Sequence, residues 1–401
     1  MIKVRIGDIK IGEDETNSVN EVLYSGRLSE GKKTREFELL WSRYIGTKYC
    51  IAVNSGTSAL LAGLYALLYD DRFKKVKKGS KVITSPLTYI ATSNAIVLSG
   101  MEPVYVDIDP YTFILDVNQI EDLLKKDPDN YSIILPVHLM GYPNDMDVLN
   151  YLAKKYDLVV FEDAAQAHGS LYKGKKAGSL SLLADYSFYI AHNIQVGEMG
   201  AIVTSDEKIR AMVKKIKANG RVCACPVCVR AEGKCPYRDE LFDPRFTHEY
   251  VGFNFKISEF QAAIAIPQIK KADQIIKARQ NNVKYLNKQL GRFADLFQLP
   301  AYSEDVSYLA YPIIIRKGRF KRHNLMQKLE QKGIETRPLF GCIPTQQPAY
   351  SYLKSMYEGR LSIAEHIGEK GFYIGCHQYL NNDDLDFIGE IFSQVVKHDW
   401  Q

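Results

Sequence analysis

Residues 131–166, YSIILPVHLMGYPNDMDVLNYLAKKYDLVVFEDAAQ, decide the fold class of this 401-residue chain. The apolar runs YSIILPVHLMG and LVVFEDAAQ are typical of strands that are buried on both faces. Between them, DVLNYLAKKYD has apolar residues at helical spacing. A strand, a helix and a second strand in this order predict a parallel strand pair wrapped by helices.

The same alternation continues on both sides of this stretch. YCIAVNSG, SKVITSP, MEPVYVDID, LADYSFYIA and GAIVTSD predict further strands, and TSALLAGLYALLYD predicts a helix. The amphipathic segment at 254–290 predicts a long helix or a helix pair, followed by a tail that mixes strands and helices. We therefore predict an α/β fold with a large, mainly parallel sheet in residues 1–265, which includes a cysteine-rich insertion at about 219–240, and a smaller α+β domain in residues 266–401.

The composition narrows the functional class. The chain is 46% hydrophobic and 25% charged, and 52 basic against 47 acidic residues give a net charge of +5. These values are ordinary for a soluble globular protein, and no basic patch points to nucleic acid. No apolar stretch is long enough to span a membrane, and the N-terminal MIKVRIGDIK lacks the apolar region of a signal peptide. We expect a cytoplasmic enzyme.

The segment NSGTS at 54–58 lies between a predicted strand and a predicted helix. Unpaired N–H groups at the start of a helix bind anions, and small residues let a phosphate approach closely. Ser and Thr are also ordinary N-cap residues. By itself this motif is consistent with a phosphate site and with simple capping.

Two further motifs follow predicted strands. EDAAQAH at 162–168 ends a strongly apolar strand, where open α/β sheets bind ligands. Asp163 at this position can keep a pyridine nitrogen protonated, which makes the ring an electron sink, or it can cap a helix. Tyr89 in PLTY can stack on a cofactor ring or pack in the core.

Seven motifs, NSGTSAL, SPLTYIAT, EDAAQAHGS, DYSFYIA, GEMGAIVT, YVGFNFKISEFQAA and GIETRPLFGCIPTQQPAY, occur in the order and spacing of one family. The sequence resembles the DegT/StrS sugar aminotransferases, which act on nucleotide-linked keto sugars. The resemblance extends from SGRLSEG to GFYIGCHQYL. It implies the aspartate aminotransferase-like fold, that is, fold type I of the pyridoxal-phosphate-dependent transferases.

The resemblance also implies which residues hold the phosphate of that cofactor. Gly56 and Thr57 match the turn whose backbone amides bind the phosphate, and Ser187 adds a hydroxyl. Asn254 matches a phosphate ligand that reaches across from the neighbouring subunit. A homodimer with shared active sites is therefore implied.

Three more positions match residues around the cofactor ring. Tyr89 matches the aromatic residue that stacks on the ring, Asp163 matches the partner of the pyridine nitrogen, and Gln166 matches the residue near the phenolic oxygen. These roles follow from the resemblance, position by position.

The sequence departs from the family pattern at one position. The aminotransferases have the pattern S-F-x-x-x-K-N, whose Lys holds the cofactor as a Schiff base, whereas residues 187–193 here are SFYIAHN. His192 occupies the position of the Lys, and no Lys occurs between Lys176 and Lys208. Imidazole cannot anchor the cofactor covalently, so we expect pyridoxamine phosphate bound as a free amine. His192 is a competent base near neutral pH.

An exchange of Lys for His at this position resembles the branch of nucleotide-linked 4-keto-6-deoxyhexose 3-dehydratases. In this interpretation pyridoxamine phosphate condenses with the 4-keto group, His192 removes a proton from the 4′ carbon of the cofactor, and the 3-hydroxyl is expelled. The alternative from another class is a catalytically inactive homologue that acts as a binding or regulatory protein.

Four of the seven cysteines fall in one segment, namely Cys223, Cys225, Cys228 and Cys235. Four thiolates can hold a [2Fe–2S] cluster or a structural zinc ion. The segment resembles the cluster-binding region of CDP-4-keto-6-deoxyglucose 3-dehydrase-like enzymes, which reduce their intermediate through the cluster. We therefore favour iron–sulfur, with a separate flavin or iron–sulfur reductase as partner. The alternative is a cluster-free dehydratase, or an aminotransferase-like enzyme, with zinc at the cysteines.

Four cationic side chains are candidates to bind the substrate diphosphate, namely Arg27, Arg221, Lys256 and Arg337. Solvated surface charge is the ordinary alternative for each. Arg337 is the preferred candidate because it lies in the family-like run ETRPLF.

Overall fold

The computed structural model describes residues 2–223, 225, 230–316 and 320–398. Its helices are α1 (Glu13–Ser25), α2 (Lys32–Ile45), α3 (Gly56–Tyr69), α4 (Ala91–Leu98), α5 (Val117–Lys126), α6 (Met146–Tyr156), α7 (Glu207–Ile216), α8 (Glu259–Lys270), α9 (Ala272–Leu290), α10 (Arg322–Gln331), α11 (Lys354–Tyr357), α12 (Ser362–Lys370) and α13 (Asn382–His398). Helices α8 and α9 are the predicted helix pair.

The described strands form two sheets and a short hairpin. They are β1 (Tyr49–Val53), β2 (Lys81–Thr84), β3 (Glu102–Tyr105), β4 (Tyr131–Leu135), β5 (Val159–Asp163), β6 (Leu171–Tyr172), β7 (Lys175–Lys176), β8 (Leu183–Ser187), β9 (Gly200–Thr204), β10 (Phe297–Gln298), β11 (Tyr311–Ile315), β12 (Thr336–Pro338) and β13 (Gly371–Ile374). The larger sheet has seven strands in the order β1-β9-β8-β5-β4-β2-β3. All its pairs are parallel except β1 with β9 and β8 with β9.

The smaller sheet has four antiparallel strands in the order β10-β11-β13-β12. Residues near the N-terminus contact this C-terminal part of the chain, since Val4 forms a β-bridge with Ile334. The predicted boundary between residues 265 and 266 falls inside α8. The domain division itself stays a prediction.

The larger sheet is covered on both faces, which agrees with its continuous apolar strands. One face packs against α3, α4 and α7, and the other packs against α2 and α8. A third apolar cluster joins the larger sheet to the smaller one, for example through Ile134 and Phe372. The predicted α/β class with a large, mainly parallel sheet is confirmed.

Two features of the fold position the functional edge of the larger sheet. Strands β5 and β8 pair in parallel, so they end at the same edge. Helix α3 lies close against β5 because Gly63 has no side chain, and a Cβ atom there would lie 2.5 Å from the ring of Phe161. Within the described part of the chain, no helix has both the length and the apolar character that a membrane span requires.

Candidate functional site

The start of α3 and the end of β8 form a small polar cradle. Ser55 caps α3, and its Oγ accepts a hydrogen bond from the backbone N–H of Ser58 at 3.1 Å. The N–H groups of the first helical turn, at Gly56 and Thr57, have no partner within a helix and attract anions. A Cβ atom on Gly56 would lie 2.7 Å from the Cβ of Ser187 and 3.2 Å from its hydroxyl oxygen. Only a glycine at position 56 lets the start of α3 approach Ser187 this closely. The cradle therefore contains both the N-cap residue Ser55 and free N–H groups that can bind an anion.

Asp163 ends β5 and is only 5% exposed. Its Oδ2 accepts a hydrogen bond of 2.7 Å from the hydroxyl of Thr92, and its Oδ1 accepts one of 3.2 Å from the backbone N–H of Ala165. Burial raises the pKa of Asp163, while the bonds from Thr92 and Ala165 act in the opposite direction. A buried carboxylate of this kind favours a cationic partner such as a protonated pyridine nitrogen.

Gln166 and Tyr89 are the other two residues predicted to lie around the cofactor ring. The Oε1 of Gln166 accepts a hydrogen bond of 3.0 Å from the backbone N–H of Met140, which leaves its amide N–H₂ as the group to meet an acceptor such as a phenolic oxygen. The carbonyl of Tyr89 accepts from the backbone N–H of Thr92, the residue that bonds Asp163. Tyr89 is 59% exposed, so it is a surface aromatic residue and not part of the core.

His192 lies in the loop between β8 and β9. Its backbone N–H donates to the carbonyl of Tyr189 at 2.9 Å, and its ring stacks on that of His168 with centroids 5.9 Å apart. Its Nδ1 is buried and has no hydrogen-bond partner among the described residues. Burial lowers the pKa of His192 to about 4; the Tyr189 carbonyl opposes this change and the charge of Arg279 adds to it. The imidazole is therefore neutral at pH 7.

The fold brings most of the predicted cofactor residues to one edge of the larger sheet. Asp163 and Ser187 end neighbouring parallel strands, Gly56 contacts Ser187, and His192 follows Ser187 by five positions. Several buried polar atoms near this edge lack a hydrogen-bond partner within the described ranges, namely Asn54 Oδ1, His192 Nδ1 and both carboxyl oxygens of Asp185. A cradle for an anion, a buried carboxylate and unpaired polar atoms together fit a charged ligand such as pyridoxamine phosphate.

Asn254 and Arg337 lie apart from this group in the chain's own contacts. Asn254 is exposed and forms a β-bridge with Ala218. Arg337, in β12, lies 3.5 Å from a carboxyl oxygen of Glu335. These contacts do not join either residue to the predicted cofactor residues.

The family now follows from comparison with known proteins. The sequence pattern of the DegT/DnrJ/EryC1/StrS aminotransferase family matches residues 9–393. The chain belongs to this family. It is 33% identical to GDP-perosamine synthase of Caulobacter vibrioides over 371 residues, which cover 92% of this chain and 91% of that protein. The predicted family is confirmed.

Relatives of the chain include dehydratases. It is 28% identical to GDP-4-keto-6-deoxy-D-mannose 3-dehydratase of Escherichia coli O55:H7 over 381 residues, covering 94% of this chain and 96% of that one. The solved structure of an E. coli GDP-4-keto-6-deoxy-D-mannose-3-dehydratase with bound hydrated PLP superposes with a TM-score of 0.84 and 25% identity, covering 98% of this chain and 99% of that one. The predicted aminotransferase-like fold is confirmed, and so is the resemblance to the dehydratase branch.

The described part of the cysteine segment gives no support for a metal centre. Cys223 and Cys235 are each 9% exposed, Cys225 is partly exposed, and Cys228 lies outside the described residues. Across the part of the chain that the structure describes, no three His, Cys, Asp or Glu side chains form a group that could hold a metal ion. The four-cysteine site stays a prediction.

Three of the four candidate diphosphate residues share one cavity. It has a volume of about 160 Å³ and lies beside Cys223 and Cys225, and its cationic lining consists of Arg27, Arg35, Lys214, Lys217, Arg221 and Lys256. Two acidic residues, Glu30 and Glu38, also line it, and the ammonium of Lys217 is 2.8 Å from Glu30. Arg337 is not part of this cavity lining.

Sequence reasoning missed three residues at the edge where the family site lies. Thr92 lies in the motif SPLTYIAT, but its hydrogen bond to Asp163 joins two elements that are far apart in the sequence. Asp185, a fully buried carboxyl in an apolar strand, pairs in register with Asp163. A charged residue within the apolar run LADYSFY was a usable signal for Asp185. Arg279, in the middle of an amphipathic helix, gave no such signal.

Proposed function

We propose that this protein is a pyridoxamine-phosphate-dependent 3-dehydratase of a nucleotide-linked 4-keto-6-deoxyhexose, with His192 as the base. The observation that carries the proposal is the imidazole of His192 where the family pattern has the cofactor-anchoring Lys. Its position in the loop that directly follows Ser187 supports the role, as does the similarity of the chain to a relative and to a solved structure that are both named as a GDP-4-keto-6-deoxy-D-mannose 3-dehydratase.

The lysines that flank this position in the sequence are engaged elsewhere. The ammonium of Lys176 lies 4.3 Å from the ring centroid of Tyr44. The ammonium of Lys208 lies 3.0 Å from a carboxyl oxygen of Asp70. Neither is placed to substitute for the missing anchor, which favours a cofactor that is bound without a covalent link.

The chain has groups that fit each part of pyridoxamine phosphate. The amides of Gly56 and Thr57 and the hydroxyl of Ser187 would hold the phosphate, and Asp163 would bind the protonated pyridine nitrogen. Gln166 would donate to the phenolic oxygen, and Tyr89 would stack on the ring. When bound, this cofactor supplies an amine for the keto carbon and a ring that accepts electrons.

His192 provides the proton transfer that loss of the 3-hydroxyl requires. Its neutral imidazole accepts one proton and can return it to the departing oxygen, so that the hydroxyl leaves as water. Because the pKa of His192 is lowered to about 4, this neutral form predominates at pH 7 without a further base.

The decisive experiment is an anaerobic assay with CDP-, GDP- and dTDP-linked 4-keto-6-deoxyhexoses, with and without reductant, read by mass spectrometry. The proposal expects a product that lacks the 3-oxygen, and loss of that product in His192→Asn. A second variant, His192→Lys, should bind pyridoxal phosphate covalently, seen as a borohydride-stable mass increase, and should form some amino sugar. Absence of both the covalent link and the amino sugar would contradict the role of His192.

A sugar aminotransferase is the second candidate, because the chain is 33% identical to GDP-perosamine synthase. The same assay separates the two functions when an amino donor is added, since an aminotransferase yields an amino sugar that keeps its 3-oxygen. Turnover of any of these substrates would exclude the third interpretation, an inactive binding or regulatory homologue.

A [2Fe–2S] cluster at the four cysteines, served by a separate reductase, is part of the proposal, with zinc as its alternative. The basis of this proposal is the close sequence spacing of the four thiols. The structure adds no support, because the described residues form no group of metal ligands. Anaerobically purified protein should show broad visible absorption and about two irons per chain if the cluster is present. Zinc in elemental analysis without that absorption would overturn the cluster.

Sharing of the active site between subunits is also part of the proposal. Asn254 would contribute to the phosphate site of the neighbouring subunit, because it is exposed on its own chain. Mixed dimers of Asn254→Ala and His192→Asn chains should regain activity, since one of their two sites carries both intact residues. Unchanged inactivity in the mixture, with dimers demonstrated, would contradict a shared site.

A further inference from the structure

Arg279 is a fully buried arginine in the middle of α9. Its guanidinium donates to the carbonyls of Tyr308 at 3.3 Å and Leu309 at 2.8 Å, and to the side-chain oxygen of Gln378 at 3.1 Å. A fourth contact, of 3.4 Å, joins it to the backbone carbonyl of His192. No carboxylate in the described ranges forms an ion pair with Arg279. A buried charge without a counter-charge is costly, and here the cost is offset by hydrogen bonds to three backbone carbonyls and one side-chain amide oxygen.

The loop that carries His192 is fixed by contacts from several elements. The side chain of Asn193 donates to the carbonyl of Ser307 at 2.9 Å, and the backbone N–H of Ile194 donates to Nδ1 of His168 at 3.4 Å. The side-chain oxygen of Gln268 accepts from the backbone N–H of Gln195 at 3.0 Å. Arg279 adds a hydrogen bond to the backbone carbonyl of His192 itself, and its guanidinium places a positive charge beside the loop.

The charge of Arg279 acts on imidazoles from three different elements. Burial lowers the pKa of His168, His192 and His377, and the positive charge of Arg279 adds to the effect on each. The other titratable groups that act on Arg279 are Cys376 and Tyr379. Burial raises the pKa of Cys376 to about 11, so its thiol is neutral at pH 7 and does not cancel the guanidinium charge.

We infer that Arg279 is a positioning residue for His192: its guanidinium binds the backbone carbonyl of His192 and joins the His192 loop to the carbonyls of residues 308 and 309 and to the side chain of Gln378. This inference rests on the proposed role of His192 as the base. A base must be held within reach of the proton that it accepts, and the buried guanidinium fixes the backbone of His192 from behind the loop.

The test measures the titration of His192 directly, in the full-length protein with and without pyridoxamine phosphate. Isotope-labelled histidine gives eight imidazole NMR signals, and the spectrum of His192→Gln identifies the one of interest. Arg279→Met removes the charge and the hydrogen bonds; because the charge of Arg279 contributes to the lowered pKa of His192, that pKa should rise in this variant. Arg279→Lys keeps the charge, so it should leave the titration in place but lower kcat about tenfold at constant KM, because the fork that holds the loop is lost. The exposed Arg292, mutated as Arg292→Met, is the matched control and should change neither quantity.

The outcomes separate this inference from the proposed function. The inference is overturned if Arg279→Lys, which keeps the buried charge, has the kcat of the unmutated protein. It is also overturned if Arg279→Met leaves the titration unchanged, or if Arg279→Lys raises it as much as Arg279→Met does. Full dehydratase activity in His192→Gln would instead refute the base, while the NMR result would still decide what Arg279 does to the imidazole.

Discussion

Replacing Thr92 by valine tests how the buried carboxylate of the site is held. The hydroxyl of Thr92 donates to Oδ2 of Asp163 at 2.7 Å, and the two residues are 1% and 5% exposed. Thr92→Val keeps the shape of the side chain and removes this bond. Because the bond opposes the effect of burial, the pKa of Asp163 should rise further in the variant.

A hydrogen bond to a charged group contributes about 1.5–3 kcal/mol. If Asp163 meets a pyridinium nitrogen, loss of the bond should weaken pyridoxamine phosphate binding roughly 10- to 150-fold. Equilibrium titration of the protein with this cofactor, followed by absorbance between pH 6 and pH 9, gives the dissociation constant. The loss should be largest at low pH, where the carboxyl of the variant begins to be protonated.

Thr204→Val is the matched control. The hydroxyl of Thr204 donates to the carbonyl of Leu182 at 2.7 Å and is equally buried, but it lies at the opposite edge of the sheet. Both variants should unfold at lower temperature, and only Thr92→Val should lose cofactor affinity. Equal affinity in the unmutated protein and in Thr92→Val would refute the role of Asp163 in binding the ring.

Three further changes have defined outcomes. Gly56→Ala places a Cβ atom 2.7 Å from that of Ser187, so it should destabilise the protein by about 1–3 kcal/mol and weaken binding of the cofactor phosphate. A Cβ atom on Gly291 meets open space, so Gly291→Ala should have neither effect. Thermal unfolding measures the stability of the two variants, and cofactor titration measures their affinity. Burial lowers the pKa of His377 to about 4, so the unfolded chain binds more protons than the folded chain between pH 6.5 and pH 4. The free energy of unfolding should therefore fall by up to about 3 kcal/mol as the pH drops through that window. In denaturant titrations, His377→Gln should reduce this fall and the exposed His323→Gln should not. Arg337→Ala should raise KM for the nucleotide sugar about tenfold or more with little change in cofactor affinity, and an unchanged KM would remove Arg337 from the substrate site.

The sequence alone determined the fold class, because each strand and helix carries its own periodicity. The alternation of apolar runs and amphipathic segments predicted the strands of the larger sheet and the helix pair at 254–290, and the structure has them. It also located Gly56 and Asp163 at strand ends, where parallel strands place their ligands, whereas the predicted strand LADYSFYIA ran past Ser187. The exchange of Lys for His192 is likewise visible in the sequence, since it is a matter of residue identity at a matched position.

Only the tertiary structure decided how these residues are supported. Thr92 bonds Asp163 across 71 residues of chain, and Arg279 reaches the carbonyl of His192 across 87. No local pattern encodes such contacts, because hydrogen bonds and charge effects depend on distance in space and on the exclusion of water. The periodicity of α9 showed that one of its faces is buried, but an arginine on that face acquires a function only once the fold places it behind the His192 loop.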